Sequence, residues 1–274
     1  MQIVHTLSDL RQLLQAYRHP AVVPTMGNLH AGHLALVKTA KPLGDVTIAT
    51  IFVNRLQFGP NEDFDTYPRT LEADCQRLQE AGCDIVFAPA EKDLYPVPQT
   101  FLVQPPAALA NILEGHFRPG FFTGVATVVL KLLSCTQARS AVFGKKDYQQ
   151  LMVIRHLVQQ FALPVEIVGV DTCRSASGLA LSSRNGYLNP EQLERAAQLS
   201  QTLRSFAAGL RADPSRLAEL ERQALDTLTQ AGWKPDYITA RRQSDLQEPQ
   251  AGDALVLLAA ARLDGTRLID NLEV

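Results

Sequence analysis

Cysteine is scarce in this sequence, and its four copies lack the short C-x-x-C spacing of metal sites. They are also too few for a disulfide scaffold in a chain of 274 residues. We therefore expect reduced, mostly buried thiols at Cys75, Cys83, Cys135 and Cys173.

Long apolar runs and an excess of one charge are also missing. The longest strictly apolar run near the C-terminus, residues 254–261, is far below the roughly 20 residues that cross a bilayer. The first residues show no basic region followed by an apolar core, as a secretion signal would. Lys and Arg total 26 against 28 Asp and Glu, which leaves no broad positive field for a nucleic acid or an anionic membrane. We expect a cytoplasmic protein that binds neither a nucleic acid nor a membrane, and in which any anion is bound by a local site.

The pattern of apolar residues predicts an α/β fold. Short segments rich in β-branched residues alternate with segments of helical spacing, which is typical of a Rossmann-like parallel sheet covered by helices. We predict strands at residues 21–23, 46–53, 85–88, 141–143 and 165–170, and helices at residues 33–40, 70–81, 125–133 and 148–161. Ligands of such sheets bind beyond the carboxyl ends of the strands, so the strand-to-helix turns are the place to search.

A second, smaller domain is predicted around the strong turn signal of Asn185-Gly186. Two long helices reaching residue 231 precede strand-like segments at residues 237–240, 255–260 and 267–269. We place the boundary near residues 172 to 186. The predicted domains are a Rossmann-like domain over residues 1–173 and a C-terminal α+β domain over residues 174–274.

The most informative segment, directly after the first predicted strand, is residues 24–34, PTMGNLHAGHL. Its glycines have the spacing of a P-loop, but His33 and Leu34 occupy the positions of the Lys and the Ser/Thr, which excludes that motif. What remains is H-x-G-H at the start of a helix. There, two imidazoles lie on one face beside free backbone N–H groups and the positive end of the helix dipole. Such a turn can bind an anion.

Two nearby histidines are also compatible with a metal pair or with satisfied, half-buried rings. A His-x-x-His metal pair needs a third and a fourth ligand, and no matching cluster of His, Cys or carboxylate groups stands out in the sequence. Gly32, between the histidines, removes a side chain that would keep a nucleotide away from the helix, and a structural pair does not require this. The strand-turn-helix context therefore favours nucleotide binding.

Motifs along nearly the whole chain carry a family resemblance. Besides residues 24–33, they are residues 51–54 (IFVN), 57–58 (QF), 67–70 (YPRT), 118–120 (RPG), 143–144 (FG), 146–151 (KDYQQL) and 178–185 (GLALSSRN). The chain resembles the pantoate–β-alanine ligases of the H-x-G-H nucleotidyltransferase superfamily. The resemblance implies that ATP drives the condensation of pantoate with β-alanine to pantothenate through a pantoyl-adenylate, with release of AMP and pyrophosphate.

The resemblance also implies the site residues. The catalytic set is His33 as proton donor, with His30 and Lys146. The ATP-binding set is Met26, Gly27, His30, His33, Gly144, Lys145, Lys146, Asp147, Cys173 through its backbone, Leu181, Ser182, Ser183 and Arg184. Pantoate and β-alanine are assigned to Asn54, Gln57, Arg118 and Gln150; a glutamine amide both donates and accepts, as a hydroxy acid requires.

Several of these side chains have a plainer alternative. Asp147 suits the cap of the following helix as well as a nucleotide contact. Lysines at 145 and 146 are typical of a solvated loop, and Ser182 to Arg184 of a turn before a helix. Three positions depart from the commonest family pattern and are expected to alter affinities, namely Arg55, Phe121 and Lys145.

The remaining expectations concern the metal, the lid and the assembly. Mg²⁺ accompanies the triphosphate, held by phosphate oxygens and water rather than by a protein cage. We expect a solvated face for the acidic side chains Glu62, Asp63, Asp65 and Asp74. The segment Ser182 to Arg184 resembles the family's mobile lid over ATP, and the family is usually dimeric. Our own hypothesis is that the C-terminal domain, hinged near residues 172 to 186, closes this segment over the nucleotide. Two other functions stay open: transfer of a nucleotide to a different acceptor, and nucleotide sensing without catalysis.

Overall fold

A computed structural model describes residues 1–60 and 62–274 of the chain. Its larger sheet has six parallel strands: β1 (Gln2–Val4), β2 (Pro20–Thr25), β3 (Val46–Ile51), β4 (Ile85–Phe87), β5 (Ser140–Gly144) and β6 (Glu166–Val170). The predicted α/β class is therefore confirmed. The sequence did not predict β1, which is short, mostly exposed and pairs with β4 at one edge.

The strand order β1-β4-β3-β2-β5-β6 makes β2 the point from which the chain builds in two directions. β3, β4 and β1 lie on one side of β2, whereas β5 and β6 lie on the other. Loops diverge at such a reversal and leave a crevice at the carboxyl ends of the strands. Because the H-x-G-H segment follows β2 directly, the topology places it at this crevice.

Within the described residues, the larger sheet is accompanied by eight α-helices: α1 (Leu7–Leu14), α2 (Ala31–Ala40), α3 (Leu71–Glu80), α4 (Glu91–Leu94), α5 (Ala107–Ala110), α6 (Glu114–Phe117), α7 (Phe121–Thr136) and α8 (Tyr148–Gln160). Most of α7 is buried, and it approaches the segment after β3 at Gly124. A Cβ atom on Gly124 would lie 2.2 Å from the carbonyl oxygen of Leu56, so only glycine permits this approach.

The C-terminal part combines three helices with an antiparallel sheet of order β7-β8-β9, and confirms the predicted α+β domain. Its elements are α9 (Pro190–Ala196), α10 (Gln198–Ala212), α11 (Leu217–Gln230), β7 (Lys234–Arg242), β8 (Leu255–Leu263) and β9 (Thr266–Glu273). The first of the two long helices predicted is divided at Ala197. Apolar side chains such as Phe206, Leu228 and Trp233 form the core of this part.

Contacts divide the chain into two compact units. The first comprises residues 1–145 and 150–171, and the second comprises residues 146–149 and 172–274. The short segment Lys146–Gln149 thus packs with the C-terminal part. None of the helices in the described residues combines the length and the apolar character that a bilayer span requires.

Candidate active site

The two histidines of the H-x-G-H turn cap the helix that follows them. His30 is the N-cap of α2, and its Nδ1 accepts a hydrogen bond from Gly32 N at 3.1 Å. His33 Nδ1 accepts from His30 N at 3.3 Å, which closes a capping box. The ring centroids are 4.1 Å apart. Since each neutral ring accepts at Nδ1, this hydrogen-bond pattern assigns its proton to Nε2, and both rings present an N–H donor.

The prediction of free backbone N–H groups at this helix start is therefore partly wrong. The amides of His30 and Gly32 donate to the imidazoles. A ring nitrogen here takes the place of the side-chain oxygen that usually caps a helix. The helix also starts at Ala31, two residues before the predicted start.

A buried carboxylate holds the residues just before the histidines. Asp74, in the first turns of α3, accepts from Asn28 N at 2.8 Å and from Leu29 N at 2.7 Å. Its side chain has no exposed surface, so the predicted solvated position for Asp74 is wrong. The cause is the orientation of α3, which turns this position towards the H-x-G-H segment. The signal in the sequence was Thr70 followed by an acidic first turn, typical of a helix start.

A cavity of about 340 Å³ opens beside this turn. Its walls come from residues that follow three neighbouring strands: Met26 and Gly27 after β2, residues 51–53 at the end of β3, and residues 88–91 after β4. Arg69 and Thr70 contribute a polar side. The cavity therefore lies at the carboxyl edge of the sheet, as the topology requires, and is of a size that takes a small organic ligand.

Asn54 and Gln57 belong to one hydrogen-bonded chain next to Met26. Asn54 Nδ2 donates to Gln57 Oε1 at 3.1 Å and to Gly124 O at 3.2 Å, and Gln57 Nε2 lies 3.2 Å from Met26 Sδ. The Tyr95 hydroxyl donates to Asn54 Oδ1 at 3.0 Å, and burial raises the pKa of Tyr95, which keeps it a neutral donor. Asn54 is only 1% exposed, whereas Gln57 is half-buried. Gln57 is therefore the more exposed member of this chain.

Arg118 lies next to the same chain but is engaged by a carboxylate. It forms a two-pronged ion pair with Glu62, at 2.6 and 2.7 Å, and donates to the carbonyl oxygen of Gln57 at 3.3 Å. Its guanidinium lies 3.6 Å from the centroid of the Phe121 ring. Arg118 thus supports the backbone of Gln57, and the predicted solvated position of Glu62 is wrong because this ion pair partly buries it. Asp65 is exposed, as predicted.

The three residues that depart from the family pattern all have partners within the first unit. Arg55 lies 3.4 Å from the Glu91 carboxylate and 3.9 Å from the Phe64 ring centroid. Lys145 forms an ion pair with Asp171 at 2.8 Å, so it is not a simple solvated lysine. Phe121 receives the guanidinium of Arg118. These side chains are integrated into the fold of this protein.

Gly144 and Gln150 flank the segment that packs with the second unit. Gly144 ends β5, and a Cβ atom there would meet no atom within 4 Å, so its surroundings are open. Gln150 is half-buried in α8. In the first unit, then, the structure brings His30, His33, Met26 and Gly27 to one turn, with Gln57 bonded to Met26.

Lys146 and Asp147 belong to the second unit, where β9 holds the backbone of the lysine. Asn271 Nδ2 donates to Lys146 O at 2.7 Å. The Lys146 ammonium lies 3.4 Å from an Asp147 carboxylate oxygen, and its side chain is 19% exposed. The lysine is therefore half-buried and fixed through its peptide group.

Cys173 and Leu181 face each other across a short hairpin of the second unit. Leu181 N donates to Cys173 O at 2.9 Å. Arg174 anchors this hairpin through a two-pronged ion pair with the buried Asp270, at 2.7 and 2.9 Å. All four thiols of the chain are free, and Cys173 is the only half-exposed one, which confirms the expectation for the cysteines.

Ser182 to Arg184 follow the hairpin as the start of a 3-10 turn over residues 183–187. Ser182 is its N-cap, and its Oγ accepts from Arg184 N at 3.3 Å. The turn that was one alternative for this segment is thus present. All three residues are half-buried. Among the described residues, no group of three or more His, Cys, Asp and Glu side chains is arranged to hold a metal ion.

A parallel sheet with an H-x-G-H turn at its topological switch point, and with a cavity lined by Met26 and Gly27 of that turn, is typical of an α/β protein that binds a nucleotide. A family model described as pantoate-beta-alanine ligase matches residues 2–273. The chain belongs to the pantoate–β-alanine ligase family.

Similar proteins agree with this assignment. The chain is 61% identical to a pantothenate synthetase of Verminephrobacter eiseniae (strain EF01-2) and 59% identical to one of Paracidovorax citrulli (strain AAC00-1), over 100% of each chain. A crystal structure of pantothenate synthetase from Thermus thermophilus superimposes with a TM-score of 0.94 at 42% identity, and covers 100% of this chain and 99% of that one.

A second solved structure contains ligands. It is the pantoate-beta-alanine ligase from Francisella tularensis complexed with beta-gamma ATP and beta-alanine. It is 38% identical, has a TM-score of 0.84, and covers 100% of this chain and 97% of that chain.

Proposed function

We propose that this protein is an ATP-dependent ligase that joins pantoate to β-alanine in two half-reactions. A pantoate carboxylate oxygen attacks the α-phosphorus of ATP, the bond to the bridging oxygen breaks, and pyrophosphate leaves. The β-alanine amine then attacks the carbonyl carbon of the pantoyl-adenylate, loses a proton, and AMP leaves with the electrons of the C–O bond. The observation that carries the proposal is the pair of Nε2 donors in the turn after β2, whose Met26 and Gly27 line the cavity at the ends of β2, β3 and β4.

The first half-reaction needs donors rather than a nucleophile of the enzyme. In-line displacement builds negative charge on the α-phosphate and on the leaving pyrophosphate, and prearranged donors stabilise it. We assign His33 as the proton donor to this charge, with His30 beside it and Lys146 as a cationic group. The structure supports the histidine pair through the Nε2–H tautomers that the capping box selects.

The residues that we assign to ATP binding come from each of the two units. In the first unit we assign Met26, Gly27, Gly144 and Lys145. In the second unit we assign Asp147, the backbone of Cys173, and the segment Leu181, Ser182, Ser183 and Arg184. Lys145 and Ser182 already have partners of their own, so their contribution to ATP requires that they exchange or share these partners.

Pantoate recognition centres on the two glutamines. Gln57 and Gln150 can each donate to the substrate carboxylate and accept from a hydroxyl group. Asn54 and Arg118 are engaged within the protein, and we assign them the orientation of Gln57. Met26 provides an apolar wall for the methyl groups of pantoate, next to Gln57 Nε2.

The acyl-adenylate must be kept from water until β-alanine arrives. We assign this closure to residues 174–274, hinged near residues 172 to 186, as a lid. Solution scattering should report a more compact shape with ATP and pantoate than without ligands.

The proposal also includes a homodimer, a cytoplasmic location, and Mg²⁺ bound to the triphosphate. Phosphate oxygens and water suffice as its ligands.

ATP–pyrophosphate exchange tests the reaction and the substrate together. We expect labelled pyrophosphate to enter ATP only when pantoate is present, and pantothenate to form when β-alanine is added. Exchange that requires a different acid would identify another nucleotidyltransferase. ATP binding without exchange would identify a sensor.

A further inference from the structure

We propose that Asp74 is a positioning residue that sets the geometry of the H-x-G-H turn for adenylate formation, an inference that rests on the function proposed above. Its carboxylate acts through the peptide groups that precede His30 and contacts no substrate. The juxtaposition that carries the inference is one fully buried carboxylate against two consecutive amides of the turn.

The Asp74 carboxylate accepts hydrogen bonds from two backbone amides of the turn and from one side-chain hydroxyl. Oδ1 accepts from Leu29 N at 2.7 Å, and Oδ2 accepts from Asn28 N at 2.8 Å and from the Thr70 hydroxyl at 3.0 Å. Asp74 also lies in the first turn of α3, where the helix dipole favours a negative charge. These charge-assisted hydrogen bonds offset the desolvation of a buried carboxylate. The ion is therefore a stable anchor for the turn.

A second residue of α3 holds Leu29 through its carbonyl group. Arg77, three residues after Asp74 on the same face of α3, donates from Nη1 to Leu29 O. The Leu29 side chain is itself 1% exposed. The residue directly before His30 is thus held by its amide, by its carbonyl and by its side chain. A rotation of the His30 peptide would have to break one of these contacts.

The backbone of the turn is shaped for this carboxylate. Gly27 and Asn28 have φ angles of +85° and +50°, in the left-handed region that disfavours most side chains. Turns of this kind point successive amides into a concave site that binds anions. Here the anion is Asp74, and a Cβ atom on Gly27 would lie 3.1 Å from its Oδ2. The amides of Asn28 and Leu29 therefore serve the protein itself.

A fixed negative charge this close to the start of α2 does not attract a triphosphate. Asp74 must therefore contribute through the geometry of the turn rather than through attraction for ATP. The isosteric variant Asp74→Asn separates these two effects. The amide keeps the size of the side chain, removes the charge, and turns one acceptor into a donor that faces an N–H group. The histidine rings should shift, while the attraction for ATP should stay or increase.

The test compares kcat with KM for ATP in pantoate-dependent exchange. Misplacement of catalytic groups by about 1 Å lowers rates by up to 100-fold. We expect Asp74→Asn to lower kcat by about tenfold or more, with a KM for ATP that is unchanged or lower. The ring ¹⁵N resonances of His30 and His33 should move in the same variant, a measurement that requires no activity.

Asp45→Asn is the matched control. Asp45 accepts from two consecutive amides, Arg18 N at 2.7 Å and His19 N at 2.9 Å, but it precedes β3 and so lies at the opposite edge of the sheet. This variant should lower the melting temperature without changing kcat or the histidine resonances. Thr70→Val is the second variant, to be used if Asp74→Asn does not fold; it removes the hydroxyl donor to Asp74 and keeps the size of a side chain that also lines the cavity. It should lower kcat by a few fold, with a KM for ATP that is unchanged or lower and with shifted resonances of His30 and His33.

The outcomes separate this inference from the proposed function. A folded Asp74→Asn enzyme with wild-type kcat and unmoved histidine resonances would overturn the positioning role, and so would a raised KM for ATP at unchanged kcat. Wild-type enzyme that shows no pantoate-dependent exchange would overturn the proposed function instead. In that case, the histidine resonances still decide whether Asp74 holds the turn.

Discussion

The side-chain amide of Asn271 donates to the carbonyl oxygen of Lys146 at 2.7 Å, across 125 residues of sequence. Asn271 lies in β9 and is 5% exposed, and its own carbonyl accepts from Arg174 at 3.1 Å. Arg174 in turn is paired with the buried Asp270. The last strand of the chain therefore fixes the peptide of the lysine that we assign to the developing phosphate charge.

Replacement of Asn271 by Ala should lower the exchange rate. The change removes the donor to Lys146 O but leaves the backbone contacts of β9, so we expect kcat to fall by about tenfold with a smaller change in the KM for pantoate. Gln243→Ala is a suitable control, because Gln243 Nε2 also donates to a backbone carbonyl of the same unit, Leu255 O, at 2.8 Å. Equal loss of kcat in both variants would speak against a specific effect on Lys146.

His33→Ala should lower the rate of adenylate formation by about 100-fold to 1000-fold in a folded protein. It removes one Nε2 donor and the acceptor for His30 N, and loss of such a donor typically lowers kcat by about 100-fold to 1000-fold. Thr6→Ala is the control for the lost cap, since Thr6 caps α1 by accepting from Asp9 N at 3.1 Å. Both variants should lose stability by about 1 kcal/mol, but only His33→Ala should lose exchange. Retained exchange in His33→Ala would contradict the assignment of the turn.

Gln57→Glu should raise the KM for pantoate by about 100-fold, because a carboxylate next to the substrate carboxylate is repelled and the amide donor is lost. The KM for ATP should change much less. Gln76→Glu places the same charge on the exposed side of α3 and should leave both constants unchanged. Parallel rises in the two constants of Gln57→Glu would indicate a general disturbance of the site.

The buried thiol of Cys83 should contribute to loss of stability at alkaline pH. Burial raises the pKa of Cys83 from 9.0 to about 11. The folded state thus keeps the thiol protonated where the unfolded state ionises it. Its contribution is fully present below pH 9 and is lost as the pH rises to about 11, by roughly 2 to 3 kcal/mol.

Denaturant unfolding between pH 8 and pH 11 measures this term by comparison with Cys83→Ser. A serine hydroxyl can donate to Ile85 O in place of the thiol, which lies 3.2 Å away, and does not titrate in this range. The free energy of unfolding of the wild type should therefore fall more steeply than that of the variant. Parallel curves would show that Cys83 ionises equally in both states.

The sequence predicted the elements that carry strong periodicity. Buried strands such as β3 and β5 were found within a few residues of their observed ends, because burial on both faces leaves continuous apolar runs, and the long α8 was found equally well. β1 was missed since its three residues are mostly exposed and depend on pairing with β4 for their conformation. α7 extends four residues before its predicted start, because Phe121 and Phe122 continue the buried face.

The sequence predicted the histidines of the candidate site but not the residues that hold the backbone of the site in place. The spacing of His30 and His33 predicted that the rings would lie together, as they do at 4.1 Å. Their mutual capping was not predicted, because histidine seldom caps helices and free amides were the simpler expectation. Asp74 and Asn271 were missed as supports because their partners lie 45 or more residues away, at distances that no local pattern encodes.

The capping box makes each imidazole serve the fold with one nitrogen and the proposed chemistry with the other. Helix strength and reactivity are therefore not independent properties of this turn. Replacement of one of the two histidines by a short side chain that carries an oxygen atom would preserve the cap of α2. The variant would lack the Nε2 proton that we assign to the reaction. Such a protein would be inert yet intact, and suited to trapping its substrates together for crystallography.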